Sequence, residues 1–398
     1  MSRGGNDMSV FDVDRHADTP AAYVHVPFCS AVCPYCDFAV VAGADDLAGR
    51  YIDAVIAEIQ ASDRWRPLDA VYFGGGTPSH VDPSLLERVL EALRRRHEFT
   101  EGVEISLEAN PEDFALDKAE RLLSSGFNRV SFGAQSFDDA VLIRLGRRHR
   151  ASDIGVSIDN ARRAGFENIS LDLIFGAAVE SDSSWAVTLE RALALGPNHV
   201  SCYALTVEPG TPLHREVKAG ADAPDPDTQA DRYELAEQLL GEAGLIRYEV
   251  SNWSHPGYEC RYNLTVWAQG QYEAYGNGAH RFREGVRSHN VRRVDAYIDR
   301  MENGSSPVSG REKITGWNEE IDRLFVGMRR AAGVRPGPGV EALLGTPGGN
   351  LLLREHIIDV DEGRLVVRRP LLSDEVHRQI LDLQPPDGWV EPADPDNL

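Results

Sequence analysis

The sequence predicts an α/β protein: a partial TIM-type barrel of six parallel strands and intervening helices, followed by a smaller C-terminal α/β domain of winged-helix type. Strand-like and helix-like runs alternate between residues 20 and 208, which is typical of parallel β/α winding. Polar residues fall at the ends of several of these strands, where parallel barrels carry their chemistry. Six strands fall short of a closed eight-stranded barrel, so we expect an open one.

The individual elements follow from local patterns. Short apolar runs bounded by glycine, proline or polar residues predict strands at 21–28, 69–73, 103–109, 129–135, 169–175 and 199–207. Apolar residues at helical spacing predict helices at 47–61, 83–97, 116–125, 154–164 and 185–195. Pro83 suits a first helical turn, and Gly126, Gly165 and Gly196 suit positions just past helix ends.

The second half of the chain is predicted to be less regular. A helix is expected at 231–243, an irregular stretch rich in Gly, Tyr and Asn at 248–290, and a short strand pair at 357–360 and 365–367. The resulting domains are a barrel at 20–244, a C-terminal domain at 245–384, and an acidic tail at 385–398 that we expect to be flexible.

Composition excludes several classes of function. The chain has 63 acidic and 41 basic residues, a net charge of −22, which repels nucleic acids. Its longest apolar runs are strand-sized, so we expect no membrane-spanning helix. The polar start at 1–20 lacks an apolar signal region, and three of the five cysteines cluster together. These features predict a cytoplasmic protein in a reducing compartment.

The most informative motif is the run C-S-A-V-C-P-Y-C, which holds Cys29, Cys33 and Cys36 directly after the first strand. Three thiolates can hold three irons of a four-iron cluster and leave the fourth iron open to a small molecule. A structural zinc site is the alternative, but such sites usually combine paired C-x-x-C units, and only one pair is present here. A disulfide within this cluster would pair two of the three thiols and leave the third unpaired, which argues against a disulfide.

Other polar residues converge on the same end of the predicted barrel. The triple glycine Gly74-Gly75-Gly76 follows the second strand, and Glu108 and Gln135 lie at the ends of the next two. The basic run 144–150 is exceptional in so acidic a chain. This basic run is interpreted either as the solvated end of a helix or as a binding site for an anion or carboxylate.

These residues carry a resemblance to a known family. The segment Y-V-H-V-P-F-C-S-A-V-C-P-Y-C-D-F resembles the cluster loop of radical S-adenosylmethionine (radical SAM) proteins, and G-G-G-T-P and G-A-Q-S-F follow at matching intervals. More narrowly, it is similar to the branch that contains oxygen-independent coproporphyrinogen III oxidase and HemW-like heme chaperones, from Tyr23 to about residue 380. The resemblance implies a [4Fe–4S] cluster on the three cysteines. It also implies S-adenosylmethionine on the free iron, cleaved by one electron to a deoxyadenosyl radical.

The resemblance also implies which residues meet the cofactors. The implied cofactor-binding residues are Tyr23, Gly75, Gly76, Thr77, Glu108, Gln135, Arg147, Asp172 and Ala204. Tyr23 is expected beside the cluster, and Arg147 is expected to pair with the ligand carboxylate. Glu108 is expected at the ligand's amine or ribose, and Ala204 beside its adenine. Cys202 and Cys260 stay outside the cluster, and we expect both to be buried.

One position separates the two branches. The oxidase branch carries another cysteine two residues past its third cluster ligand, whereas Asp37 and Phe38 follow Cys36 here. This pattern favours a HemW-like chaperone, which would deliver heme to an acceptor protein and require an electron donor. The alternative is a radical enzyme that acts on a porphyrinogen, and the third hypothesis is a binding protein with structural zinc.

The heme site departs from the family pattern. The HemW-like segment H-N-x-x-Y-W is represented here by Y-N-L-T-V-W, so Tyr262 stands in place of the histidine and Val266 in place of the tyrosine. A tyrosinate can ligate heme iron, so Tyr262 is one candidate ligand. His280 and His289 are the others, and the absence of heme is a further alternative.

Overall fold

The computed structural model describes residues 15–391, and all six predicted barrel strands are present in it. The strands are β1 (Ala21–Val26), β2 (Phe28–Cys29), β3 (Val41–Ala42), β4 (Leu68–Gly75), β5 (Phe99–Ala109), β6 (Arg129–Gln135), β7 (Asn168–Phe175), β8 (His199–Ala204), β9 (Ile246–Glu249), β10 (Asn252–Ser254), β11 (Tyr272–Tyr275), β12 (His280–Arg283), β13 (Val286–Asn290), β14 (Val308–Lys313), β15 (Ile358–Asp361) and β16 (Arg364–Val367). The barrel strands are mostly buried along their length, as parallel strands covered by helices are.

The five predicted barrel helices are also confirmed, within a few residues. The helices are α1 (Ala48–Ala61), α2 (Pro83–Arg96), α3 (Leu116–Ser125), α4 (Asp139–Arg144), α5 (Ala151–Ala164), α6 (Asp182–Ala194), α7 (Pro212–Lys218), α8 (Pro226–Glu242), α9 (Arg261–Trp267), α10 (Val294–Glu302), α11 (Trp317–Gly327), α12 (Pro338–Gly345), α13 (Pro347–Arg354) and α14 (Ser373–Leu381). Gly126 and Gly165 have φ values of 107° and 109°, so they end α3 and α5 in the left-handed conformation that favours glycine.

The strand order explains why the barrel is open. The main sheet runs β14-β13-β12-β11-β1-β4-β5-β6-β7-β8-β10-β9, and β1 and β4 to β8 are parallel neighbours throughout. Beyond this block, β11 pairs parallel with β1, whereas β10 pairs antiparallel with β8. The carboxyl ends of the six barrel strands therefore lie along one rim, as predicted for a partial (β/α)6 barrel.

The expectation of an irregular stretch at 248–290 is wrong. This part of the chain contains β10 to β13 and α9, and its strands extend both edges of the main sheet. The strands are short and rich in His, Tyr and Arg, because part of this region lines a cavity instead of the apolar core. The domain boundary predicted at residue 244 stays a prediction, because the main sheet continues beyond that residue.

A second apolar core follows the main sheet. It is formed by α11 to α14 and the antiparallel hairpin β15–β16, which confirms the predicted strand pair near 357–367. Trp317 begins α11, and its ring lies 5.3 Å from that of Trp389. Residues 392–398 of the predicted tail lie outside the described range. Along residues 15–391 we find no helix that combines the length and the apolar character needed to cross a bilayer.

A partly buried carboxylate joins α1 to β13, to α10 and to the residue that follows β11. Glu58 accepts hydrogen bonds from the backbone N–H of Gly276 (2.9 Å), from Asn290 Nδ2 (2.8 Å) and from the Tyr297 hydroxyl (2.6 Å). Burial raises the pKa of Glu58. Three donors on three different elements thus depend on one side chain.

We therefore expect Glu58→Ala to lower the free energy of unfolding by about 3 kcal/mol, because it leaves buried donors without a partner. Chemical denaturation of the cluster-free protein, followed by tryptophan fluorescence, measures the change. Glu91→Ala is the matched control, since Glu91 forms only an exposed pair with Arg95 and should change stability by less than about 0.5 kcal/mol. Equal effects of the two variants would contradict the expectation.

Candidate cofactor site

The three clustered cysteines lie on a loop that leaves the carboxyl end of β1. Cys29 is buried on β2, and Cys33 and Cys36 follow in a turn closed by a hydrogen bond from Cys36 N to Cys33 O (3.1 Å). The two ends of the loop are held together by the parallel pairing of β2 with β3 and by a hydrogen bond from Val41 N to Pro27 O (2.9 Å). The loop therefore begins and ends at the same point above the barrel rim.

The basic run and α7 hold the outer side of this loop. Arg148 Nη1 donates to Ser30 O (3.1 Å), and Leu213 N donates to Pro34 O (2.8 Å). Gly146 has a φ of 69°, and a Cβ there would lie 2.6 Å from Pro34 Cδ. Glycine in the basic run is thus required for the run to approach the cluster loop.

The inner side of the loop is held through one carbonyl. The oxygen of Ala39 accepts a hydrogen bond from Asn277 Nδ2 (3.0 Å) and lies 3.0 Å from His25 Nε2. Burial lowers the pKa of His25 to about 4, so its ring is neutral. Because a carbonyl only accepts, Nε2 carries the proton, and Nδ1 accepts from the Tyr23 hydroxyl at 3.0 Å. His25 therefore supports the loop as a hydrogen-bond donor.

The glycine run at the carboxyl end of β4 packs directly under the cluster loop. A Cβ on Gly75 (φ 116°) would lie 2.4 Å from His25 Cε1, and one on Gly76 would lie 2.6 Å from the carbonyl carbon of Pro27. The run is also bonded to the loop, because Thr77 N donates to Phe28 O (2.9 Å). The space that a Cβ on either glycine would need is thus taken by the protein itself.

A cavity of about 500 Å³ opens between this loop and the strand ends. Its walls include all three clustered cysteines and most of the residues expected at the cofactors: Gly75, Gly76, Thr77, Glu108, Gln135, Arg147, Asp172 and Ala204. Tyr23 and Tyr262 do not line this cavity. Both predicted buried cysteines, Cys202 and Cys260, are confirmed as buried and also lie outside it. The tertiary fold thus brings residues from seven separate stretches of the chain to one place.

Two partly buried carboxylates face this cavity. Glu108 accepts hydrogen bonds from the Tyr72 hydroxyl (2.9 Å) and from Gly75 N (3.0 Å). Burial, reinforced by the charge of Asp172, raises the pKa of Glu108 to about 7. Asp172 accepts from Ser131 Oγ (3.0 Å) and Ser201 Oγ (2.7 Å), and burial raises its pKa as well. The cavity therefore offers one acceptor, Glu108, whose charge is sensitive to pH near neutrality.

Arg147 is the member of the basic run that enters the cavity. Its Nη1 lies 3.6 Å from Cys33 Sγ, and its Nη2 donates to Gly133 O (3.1 Å) and to Asn110 Oδ1. Asn110 also donates to Thr77 Oγ1 (3.2 Å), so it joins the arginine to the glycine run. Sequence reasoning missed Asn110, although its place directly after the third barrel strand was a usable signal.

The donor set of the cluster loop can be tested against the two metal hypotheses. Within residues 15–391, no group of three His, Cys, Asp or Glu side chains is arranged to hold a single metal ion. In an iron–sulfur cluster each thiolate binds its own iron, so the three thiols can line the site without converging on one ion. Burial raises the pKa of Cys29 to about 11 and also raises that of Cys36, so metal binding must displace protons. Three thiols facing one cavity, with a guanidinium beside Cys33, fit an iron–sulfur cluster.

A second cavity of about 780 Å³ adjoins the first. The two share the side chains or backbone of Phe38, Tyr72, Gly75, Glu108 and Tyr203. Further walls of the second cavity are formed by Tyr23, Tyr262, Tyr272, His280, His289 and Arg292. The second cavity is thus rich in aromatic and imidazole rings.

The rings in this second cavity are ordered in two stacks. The ring of Tyr262 lies 5.7 Å from that of Tyr23 and 5.3 Å from that of Tyr72, at shallow interplanar angles. On β12 and β13, the rings of His280 and His289 stack with their centroids 5.2 Å apart. Burial raises the pKa of Tyr262 well above its ordinary value, and burial lowers that of His280.

The comparisons with known proteins agree with this architecture. The family model of the Radical SAM superfamily matches residues 23–192. The chain is 34% identical to the heme chaperone HemW of Bacillus subtilis over 319 residues, which cover 79% of this chain and 84% of that protein. It is 36% identical to the heme chaperone HemW of Mycobacterium tuberculosis (strain H37Rv) over 374 residues, covering 90% and 94%.

A solved structure extends the likeness in fold to nearly the whole chain. The coproporphyrinogen III oxidase HemN from Escherichia coli superposes with a TM-score of 0.79 at 23% identity, covering 94% of this chain and 93% of that one. The sequence matches to the two chaperones are closer and span most of each protein. The chain therefore belongs to the HemW family of the radical S-adenosylmethionine superfamily.

Proposed function

We propose that this chain is a cytoplasmic heme chaperone that carries a [4Fe–4S] cluster and S-adenosylmethionine and delivers heme to an acceptor protein. The observation that carries the proposal is the pair of adjoining cavities, one lined by the three thiols and the other by aromatic and imidazole rings. Relatives that share about 35% of the sequence are named heme chaperones. A porphyrin-sized ligand and a nucleoside cofactor can then lie next to each other.

The residues of the first cavity have distinct roles in this proposal. Cys29, Cys33 and Cys36 hold the cluster, and the superfamily's cofactor pair supplies one-electron chemistry when bound. Arg147 pairs with the carboxylate of S-adenosylmethionine, for which a forked donor is suited. Glu108 accepts from the ligand's amine or ribose.

The remaining cofactor contacts come from the glycine run and the later strands. Gly75, Gly76 and Thr77 contact the methionine end, Gln135 and Asp172 hold the ribose, and Ala204 lies beside the adenine. Tyr23 supports the cluster loop indirectly. Its hydroxyl donates to the ring of His25 (3.0 Å), and that ring donates in turn to the loop carbonyl of Ala39. An external electron donor completes the system, and the C-terminal domain at 245–384 supplies part of the wall of the heme cavity.

Hemin titration of the anaerobically reconstituted protein tests the chaperone proposal. We expect a Soret band that saturates near one heme per chain and that transfers to an added apo-heme protein. The same protein should give no product from coproporphyrinogen with S-adenosylmethionine and a reductant. Absence of a Soret band, or formation of a decarboxylated porphyrinogen, would overturn the chaperone proposal in favour of the enzyme alternative.

We expect Cys33→Ala to abolish the cluster, because the three thiolates bind iron as one site. Iron and sulfide analysis and the visible absorbance of the reconstituted variant measure the loss. Cys202→Ala is the control, since Cys202 is buried outside the cavity and should leave iron content unchanged. Full iron content in the Cys33 variant would rule out this ligand set.

We expect Arg147→Ala to weaken S-adenosylmethionine binding roughly thirtyfold while the cluster persists, since a hydrogen bond to a charged group contributes about 2 kcal/mol. Calorimetry on the reconstituted protein measures Kd. Arg150→Ala, in the same run but largely exposed, should bind as the unaltered chain does. An unchanged Kd in the Arg147 variant removes this residue from the site.

Binding of S-adenosylmethionine should also depend on pH through Glu108. The pKa of Glu108 is raised to about 7, so the carboxylate is mostly protonated at pH 6 and mostly ionised at pH 8. Because the ionised form is the better acceptor, we expect affinity to rise about tenfold between these pH values. Glu108→Gln should flatten this dependence. A wild-type slope that persists in the variant would assign it to another group.

A further inference from the structure

We propose that the heme lies in the second cavity and that its iron is bound by the His280–His289 imidazole pair, with Tyr262 serving as part of the cavity wall. This inference rests on the proposed function, since it requires that the chain bind heme. It also identifies the residues that replace the histidine missing from the family segment around Tyr262.

The register of two strands creates the imidazole pair. β12 and β13 are antiparallel, and His280 lies directly opposite His289. Directly opposed side chains project from the same face of a sheet, and here both rings line the cavity. The ring of His289 lies against Gly310 of β14, where a Cβ would come within 2.3 Å of its Cε1. Three adjacent strands thus place the two rings together.

The two imidazoles are available for coordination. Among the hydrogen bonds and ion pairs of residues 15–391, neither ring has a partner, and the contact between them is the stacking at 5.2 Å. Imidazole nitrogen is a common axial ligand of heme iron. Because both rings belong to the same wall and stack on each other, the iron can be bound by an imidazole of this pair while the other ring packs against the ligand.

Tyr262 is placed differently. Its ring packs against those of Tyr23 and Tyr72 at 5.7 and 5.3 Å, and a third ring, Tyr272, meets it edge-on at 5.9 Å. Each of these rings is itself part of the cavity lining. Packing on this scale immobilises the Tyr262 phenol as part of an apolar wall, which suits contact with a flat macrocycle.

The remaining walls match the other parts of a heme. Phe38 is 62% exposed where the two cavities meet, so it offers an apolar edge. Arg292 also lines the cavity and donates to the carbonyl of Asp37 through one guanidinium nitrogen. A guanidinium in this position suits a propionate group. Apolar wall, imidazole ligand and cationic anchor are therefore all present in one cavity.

The test compares hemin titrations of four reconstituted proteins: the unaltered chain, the double variant His280→Ala/His289→Ala, Tyr262→Phe and His356→Ala. We expect the double variant to bind hemin at least about tenfold more weakly, the scale on which metal sites lose affinity even when only outer partners are removed. Added free imidazole should restore its Soret band. Tyr262→Phe should retain its band, and so should His356→Ala, which removes an exposed histidine outside the cavity.

Resonance Raman spectra of the ferrous complex provide a readout that weakened packing alone would not change. The unaltered chain and Tyr262→Phe should show an iron–imidazole stretch, and the double variant should show it only with added imidazole. Cluster content of each variant checks that the barrel has folded.

The outcomes separate the inference from the function on which it rests. If the unaltered chain binds hemin and the double variant binds it equally well, the histidine assignment is overturned while the chaperone proposal stands. Loss of the Soret band in Tyr262→Phe alone would instead place the iron on the tyrosine. If the unaltered chain binds no hemin, both proposals fail together.

Discussion

The close contact between the glycine run and the cluster loop is the constraint on which the site depends. Gly75 and Gly76 have no room for a Cβ, because His25 and Pro27 already occupy that space. This packing allows backbone hydrogen bonds to cross from β4 to the loop, and it brings Thr77 Oγ1 to 3.7 Å from Cys29 Sγ. A side chain at either glycine would push the loop away from the rim and separate the thiols from the rest of the cavity.

The same loop connects the two cavities. Its carbonyl at Ala39 is held by His25 from the barrel and by Asn277 from the segment after β11. Asn277 also donates to the carbonyl of Arg292, which lies in the wall of the second cavity. Hydrogen bonds through Asn277 therefore join the cluster loop to the wall of the second cavity.

The electrostatics of the barrel mouth differ from those of the surface. The chain as a whole is strongly acidic, yet Glu108 and Asp172 are partly buried, hydrogen-bonded and shifted toward their neutral forms. Arg147 supplies a positive charge to the same cavity, next to Cys33. The site therefore suits a zwitterionic ligand with separated amine and carboxylate groups.

By itself, the sequence determined the six parallel strands, most of their helices and the cysteine loop. These features depend on short-range patterns: aliphatic runs, helix-ending glycines, and three cysteines within eight residues. Tertiary structure alone decided that β11 would pair with β1, where Ala21 lies opposite Tyr272, and that His280 and His289 would share a wall with Tyr23. Contacts across some 250 residues leave no local periodicity. The strands that make them are short and polar because they line a cavity, so their sequence looked irregular.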